Sequence, residues 1–315
     1  MNSDLTARLA AQGGVASVGR LRDLGVGRQE VHTLVRRGEL VRLRRDVVVD
    51  GNRWRAARPW ERHELRARGM MCSLMPHGVE GGPSRVALSH HSGLAVSGIS
   101  LHGVDDIVHV VRMGDGQGRR STGLQVHPAV PAEMVTEVNG LPVVEPAMAC
   151  LQVAAVFGVQ AGLVSADAGL RAGAFDAEGL RRAAEAVSGR GASAARTVSS
   201  FADGRAESAG ESRSRWLFHV IGLPAPLLQA VVVDGDKRFV GRVDFAFPAQ
   251  RTIVEFDGLG KYAAALDLRA EKVREDRLRD LGFEVVRLTW ADLERPTVVQ
   301  ERILRAFARS ASRLR

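Results

Sequence analysis

From Phe239 to Gly258 the chain carries a stretch that leaves little freedom about its fold. Apolar and polar residues alternate on either side of Pro248-Ala249-Gln250-Arg251, the pattern of two strands joined by a tight turn. A turn centred between Ala249 and Gln250 fixes the register. Phe247 then faces Thr252, Phe245 faces Val254 and Val243 faces Phe256, making one apolar face. On the other face Ala246 meets Ile253, Asp244 meets Glu255 and Arg242 meets Asp257. Cross-strand neighbours sit about 4.5–5.5 Å apart at Cβ, where like charges destabilise a sheet. Asp244 and Glu255 therefore call for a compensating positive charge, and a divalent cation is the natural candidate.

The rest of the 315 residues is more than one hydrophobic core usually organises, so several domains are expected. A net charge of +8 and a pI near 10.7 favour an anionic partner such as nucleic acid. The three lysines are Lys237, Lys261 and Lys272, so each can be followed individually. Cys72 and Cys150 form no C-x-x-C pair, which argues against zinc ribbons and redox motifs. The N-terminus has no basic start followed by an apolar run, and the longest uncharged run, residues 146–166, contains Gln and Gly. No signal peptide or membrane span is expected, and the chain is read as cytoplasmic.

Residues 1–53 read as three short helices and a hairpin. Ser17 caps the second helix, Gly25 makes the turn, and the third helix covers Arg28–Arg37 before Gly38. Leu40–Arg45 and Val47–Val49 supply two strands, completing the plan of a helix-turn-helix with a wing. Basic and amide side chains concentrate on the last helix and the wing: Arg28, Gln29, His32, Arg36, Arg37, Arg42, Arg44 and Arg45. Such groups suit phosphates and base edges. The residues Leu24-Gly25-Val26, Leu34–Leu40 and Val41–Arg45 resemble the N-terminal winged-helix domain of AbiEi-family antitoxins. That resemblance implies binding to double-stranded DNA and a cognate toxin or other defence protein as a partner. The Asp46-Val47-Val48 that follows departs from the family's usual Gly-Val-Tyr.

Residues 54–145 read as a mixed α/β middle region, with a helix over Trp60–Met75, Ser89 as a helix cap, and strands at Asp106–Val111 and Leu124–Pro128. The region is similar to the linker that follows the winged helix in AbiEi-like proteins, with Ser89-His90 as its marker. It holds His63, His77, His90, His91, His102, His109 and His127. Their spacing matches no zinc pattern and no catalytic triad, so satisfied or exposed histidines are expected. Residues 146–206 form an alanine-rich helical connector, opened by Pro146 at a helix start and punctuated by a cap at Asp176.

Residues 207–315 follow the order α-β-β-β-α-β with a terminal helix. This order, together with Arg242-Val-Asp244, Val254-Glu255-Phe-Asp257-Gly258, Lys261-Tyr262, Glu271–Asp276 and Val286–Asp292, resembles the Vsr-like (very-short-patch-repair-related) branch of the PD-(D/E)XK endonucleases. The fold class implied is an α+β or α/β multidomain chain with a C-terminal restriction-endonuclease-like domain. The function implied is DNA phosphodiester hydrolysis with Mg²⁺ or Mn²⁺, in a defence, repair or toxin–antitoxin system. Asp244 and Glu255 would hold the metal, with Asp257 assisting and Glu211 adding a third carboxylate, Glu207 being its alternate. The superfamily lysine, two residues after the second acid, is Asp257 here, so its role passes to Lys261 or to Lys272. Arg213, Arg215, Arg242 and Arg274 are candidate phosphate contacts. The alternative is an antitoxin or repressor whose nuclease-like domain is inactive.

Overall fold

The computed structural model describes residues 3–11, 13–75, 85–114, 116–258 and 265–313. Among the described residues the protein is a mixed α and β chain with three open sheets. It divides into two compact units, residues 1–169 with 173–201, and residues 170–172 with 202–315. The first two segments expected from the sequence, and most of the third, thus fall in one unit.

The first unit opens with α1 (Ser3–Ala11), β1 (Val15–Ser17), α2 (Val18–Asp23), α3 (Arg28–Arg36), β2 (Leu40–Arg44) and β3 (Val47–Asp50). Ser17 caps α2 by accepting from the Arg20 amide at 3.0 Å. Gly38, at φ 70°, closes α3 in the left-handed conformation that favours glycine. Sequence reasoning passed over β1, which pairs antiparallel with β3 and gives the sheet order β1-β3-β2. Both faces of that sheet are covered. Val48 packs with Leu5, Leu9, Leu21, Val31 and Leu34, while Val47 and Val49 pack with Val15 and Leu65. Three successive valines at 0% exposure follow from this double coverage.

After α4 (Gly51–Ala56) and α5 (Pro59–Leu74) comes β4 (Val86–Leu88), with α6 (His90–Val96), β5 (Val108–Arg112), β6 (Arg119–Ser121) and β7 (Leu124–His127). β8 (Val135–Val138) and β9 (Leu141–Val144) form a hairpin whose turn residues, Asn139 and Gly140, both have positive φ. These strands make a six-stranded sheet ordered β6-β7-β5-β4-β9-β8. Ser89 is the residue before α6, but its side chain makes no capping bond. Its hydroxyl lies instead 3.0 Å from His90 Nδ1. Four helices follow, α7 (Pro146–Phe157), α8 (Val159–Arg171), α9 (Ala177–Ala186) and α10 (Ala192–Phe201). Small side chains allow close packing here: a Cβ on Gly162 would lie 2.5 Å from that of Ala154. Among the described residues, no helix is long and apolar enough to cross a membrane.

The second unit holds α11 (Ala209–Val220), β10 (Leu227–Val233), β11 (Phe239–Phe247), β12 (Thr252–Phe256), α12 (Ala265–Asp280), β13 (Glu284–Leu288), α13 (Trp290–Leu293) and α14 (Pro296–Arg313). Its sheet runs β10-β11-β12-β13, antiparallel except for the parallel pair β12–β13, which α12 connects. One face packs Phe218, Phe245, Phe247, Val254, Leu288, Val299 and Ile303. The other packs Ala246, Ile253 and Leu278, joined by Val243. The turn after β11 is a short 3₁₀ segment, Pro248–Gln250, closed by Arg251 at φ 43°.

Candidate functional site: an acidic cleft in the second unit

The hairpin has the register its turn dictates: Phe247 opposite Thr252, Ala246 opposite Ile253 and Phe245 opposite Val254. The strand ladder ends there, short of the expected pairs Asp244–Glu255, Val243–Phe256 and Arg242–Asp257. Asp244 Oδ2 accepts the Phe256 amide at 2.8 Å, so a side chain replaces a strand carbonyl as acceptor. On the other side of Asp244, the β10 register of Leu228 with Phe245 and Ala230 with Val243 places Gln229 opposite it. Gln229 has φ 51°, a left-handed conformation uncommon for a residue with a Cβ. Its amide donates to Glu211 Oε2 at 2.8 Å.

These residues line a cavity of about 340 Å³. Its walls carry six carboxylates, Glu207, Glu211, Asp244, Glu255, Asp257 and Glu271, against three guanidiniums, Arg242, Arg274 and Arg287. Glu211 sits at the start of α11, 7% exposed. It accepts from the Ser208 hydroxyl at 2.8 Å and the Glu207 amide at 2.8 Å, while its own amide donates back to Ser208 Oγ. Glu211 therefore fastens the helix start as well as facing the cleft. Glu207 is held by Arg242 through two bonds of 2.8 and 2.9 Å.

Glu255 is 9% exposed. Arg274 of α12 donates to it at 2.7 Å and to Glu271 at 2.6 Å. Arg287 of β13 lies 3.7 Å from Glu255 and 3.9 Å from Asp257, and donates to Glu271 at 2.5 Å. Burial pushes the Glu255 carboxyl up despite Arg274. The Arg274 hydrogen bond holds Glu271, less deeply placed, below the usual carboxylate range. One arginine thus secures the charge of Glu271 without fully offsetting the burial of Glu255.

A second charged surface lies in the first unit. Arg28, Gln29, His32, Arg36, Arg37, Arg42, Arg44 and Arg45 are all exposed. Arg28, Arg42 and Arg45, with Arg22 of α2, line a depression of about 390 Å³ beside Asp46. Arg44 turns the other way, donating to Met70 Sδ at 3.1 Å.

The uncharacterized proteins Rv2248 and MT2308 of Mycobacterium tuberculosis, from strains ATCC 25618 / H37Rv and CDC 1551 / Oshkosh, are each 34% identical to the chain over 216 residues. That match spans 67% of this chain and 79% of each relative. The chain belongs to their family. No family model matches it.

In this chain Asp244, Glu255, Asp257 and Glu211 all line the same cleft. Lys261 lies outside the described residues, and Lys272 is exposed on α12. Among the described residues, the cations near Glu255 are Arg274 at 2.7 Å and Arg287 at 3.7 Å. Of the arginines expected at phosphates, Arg274 and Arg242 line the cleft. Arg213 and Arg215 are 7% exposed, and Arg213 donates to Glu294 at 2.7 Å. Sequence reasoning missed Arg287 and Gln229 at the cleft and Arg22 at the basic depression. Arg287 had a local signal in the Val286–Asp292 motif. Gln229 had none, since its place depends on a left-handed backbone.

The cleft suits a hard divalent cation by donor chemistry, with carboxylate oxygens in excess of guanidiniums in one partly buried space. Asp244 and Glu255 would hold it, Glu255 exchanging its contact with Arg274. The described residues also contain one group of three possible metal ligands with donor atoms within 4.8 Å of one another. That group is histidine and lies in the first unit.

Proposed function

We propose that the chain binds double-stranded DNA through α3 and the β2–β3 wing and cuts it in the acidic cleft, as a Mg²⁺- or Mn²⁺-dependent endodeoxyribonuclease. The observation that carries this reading is the meeting of Asp244, Glu255 and Asp257 with Arg274 and Arg287 in one cavity. The strand order and motifs that resemble the Vsr-like endonucleases support it. So does the exposure of all eight basic-surface residues, which resemble the AbiEi-type winged helix in sequence.

A divalent ion, when bound, supplies charge stabilisation at the phosphate and acidifies water. Asp244 and Glu255 orient oxygens toward the cleft from adjoining strands. Arg287 bridges Asp257, Glu255 and Glu271, and so stands in the region where the superfamily pattern places a lysine. A guanidinium stays protonated and cannot act as a general base, so its part is to bind and orient the phosphate. Gln229 and Ser208 hold Glu211 at the cleft edge.

The test is nicking of supercoiled DNA with Mg²⁺ or Mn²⁺ by the purified chain, beside Asp244→Ala and Glu255→Ala. Cleavage by the wild type alone is expected. Equal cleavage by all three, or none by any, removes the nuclease reading. One observation favours a second reading, an AbiEi-like antitoxin or repressor: Glu255 is already occupied by Arg274, and Asp257 replaces the lysine. That reading expects no cleavage but a shift of the chain's own promoter DNA, lost in Arg28→Ala/Arg45→Ala.

A further inference from the structure

Five histidines of the first unit, His63, His90, His91, His109 and His127, sort into two kinds. His63 has a partner at each ring nitrogen, whereas His91 has one at Nε2 and keeps a buried Nδ1 without a hydrogen-bond partner. His63 faces the Asp105 carbonyl oxygen at 3.1 Å and the Ser92 hydroxyl at 3.0 Å, and His91 Nε2 lies 3.0 Å from the His102 carbonyl oxygen. His90, His109 and His127 instead converge on one another. β5 and β7 are parallel neighbours with His109 opposite Gln125 and Val111 opposite His127, so both histidines point to one face on a diagonal. His109 Nδ1 lies 2.9 Å from His127 Nε2. His90 opens α6 directly after β4, at φ 49°, and its ring stacks on His127 with centroids 3.9 Å apart. One donor nitrogen from each of the three falls within 4.8 Å of the others.

The surroundings settle which nitrogens face inward. The Asp105 carboxylate lies 3.3 and 3.4 Å from His109 Nε2. It fixes the proton there and leaves the Nδ1 lone pair toward the group, the carboxylate–histidine arrangement found behind metal ligands. Ser89 Oγ occupies His90 Nδ1 at 3.0 Å, which leaves Nε2 for the centre. His90 and His109 are each 3% exposed. The left-handed backbone at His90 is uncommon outside glycine, and it is what lays that ring over the sheet.

We propose that His90, His109 and His127 bind one divalent transition-metal ion of the zinc class. Three neutral imidazoles without a carboxylate suit zinc and its neighbours and not magnesium or calcium. Zn–N bonds of about 2.0–2.1 Å set tetrahedral ligand nitrogens about 3.3 Å apart. The 2.9 Å separation of His109 Nδ1 from His127 Nε2 opens slightly and the longer ones close, by rotation of imidazole rings. The ion ties the start of α6 to β5 and β7, with Asp105 as a positioning residue, and leaves a fourth position for water or another ligand. This site is separate in place and in metal preference from the acidic cleft.

The test uses the untagged full chain, stripped with a chelator and titrated with Co²⁺ and then Zn²⁺. One equivalent of Co²⁺ with the visible absorption of four-coordinate nitrogen ligation is expected, displaced by Zn²⁺. Zn²⁺ raises the melting temperature in a concentration-dependent way. Asp105→Asn weakens binding about 10–100-fold, His109→Gln/His127→Gln abolishes it, and His102→Gln leaves it unchanged. Absence of the Co²⁺ bands in the wild type overturns the proposal, as does equal binding by the double variant. Should that variant fail to fold by circular dichroism, the wild-type stoichiometry and the Asp105→Asn affinity decide.

Discussion

Replacing Arg274 with Gln separates the two carboxylates it serves. Glu255 loses its 2.7 Å donor and Glu271 its 2.6 Å donor. Breaking one side of a buried ion pair costs about 3–5 kcal/mol. Arg287 stays within 3.7 Å of Glu255 and bonded to Glu271, which reduces the cost to about 2–3 kcal/mol, the range of one or two charged hydrogen bonds. The pH dependence has a definite sign. Glu255 already has a raised carboxyl pKa in the folded state, so keeping it ionised destabilises the fold once the pH exceeds that value. Below the unfolded value it is protonated in both states and costs nothing. Loss of Arg274 raises the folded value further, so the variant is weakest at alkaline pH and recovers on acidification toward about pH 5. Glu271 loses the Arg274 hydrogen bond that chiefly holds it low and keeps the one from Arg287, so its share of the penalty has the same sign, present at alkaline pH and lost on acidification. Hydrogen exchange read on β12 and α12 isolates the effect from the first unit. At pH 8 exchange through unfolding should quicken about 30- to 150-fold, at about 1.4 kcal/mol per tenfold. The double variant Glu255→Gln/Arg274→Gln should regain part of the stability. A penalty that is flat from pH 5 to 8, or a double variant as weak as the summed singles, refutes the reasoning.

Other outcomes follow from the same structure. Gly210→Ala places a Cβ 2.0 Å from the Phe256 ring, which is 6% exposed and packed edge-on against Trp290; a destabilisation of about 1–3 kcal/mol is expected in calorimetry of the second unit, and a neutral result would mean that the ring moves aside freely. Arg28→Ala/Arg45→Ala should weaken DNA binding across sequences and lower the salt-dependence slope by about one for each phosphate that is no longer neutralised, measured by fluorescence anisotropy at several salt concentrations. Cys150 is fully buried with its thiol pushed up by burial, so a thiol reagent should leave it unmodified in the native chain while labelling it in urea; native labelling at Cys150 would contradict the packing of α7.

The hairpin register was legible because the turn and a two-residue period together admit one pairing, and Phe245–Val254 bears it out. The nearness of Asp244 and Glu255 followed from that register alone. Their counter-charges did not. Arg274 comes from a helix and Arg287 from a parallel strand, and no local rule states where a crossover returns. Of the two lysines expected for the superfamily role, Lys261 lies outside the described residues and Lys272 is exposed, two residues from Arg274 on a different face of α12; Arg274 reaches Glu255. In the first unit Ser17 and Gly38 announced their helix ends through elementary backbone chemistry. The β8–β9 hairpin was passed over, although its turn pair Asn139-Gly140, with positive φ at both positions, is of the type such turns favour. The histidine group had no comparable signal. Its members stand about 18 or 19 residues apart in sequence, on three different elements, and metal-ligand spacing rules cover pairs on one element.

The bond from the Phe256 amide to Asp244 Oδ2 has a practical consequence. A backbone proton there leans on a carboxylate that the proposed chemistry would recruit, so its magnetic environment must follow whatever that carboxylate binds. In an amide spectrum of ¹⁵N-labelled protein, Phe256 becomes an internal gauge of cleft occupancy. Its resonance should move when Mg²⁺ enters the cleft and should stay still when Zn²⁺ is captured by the histidines, separating the two sites without any substitution.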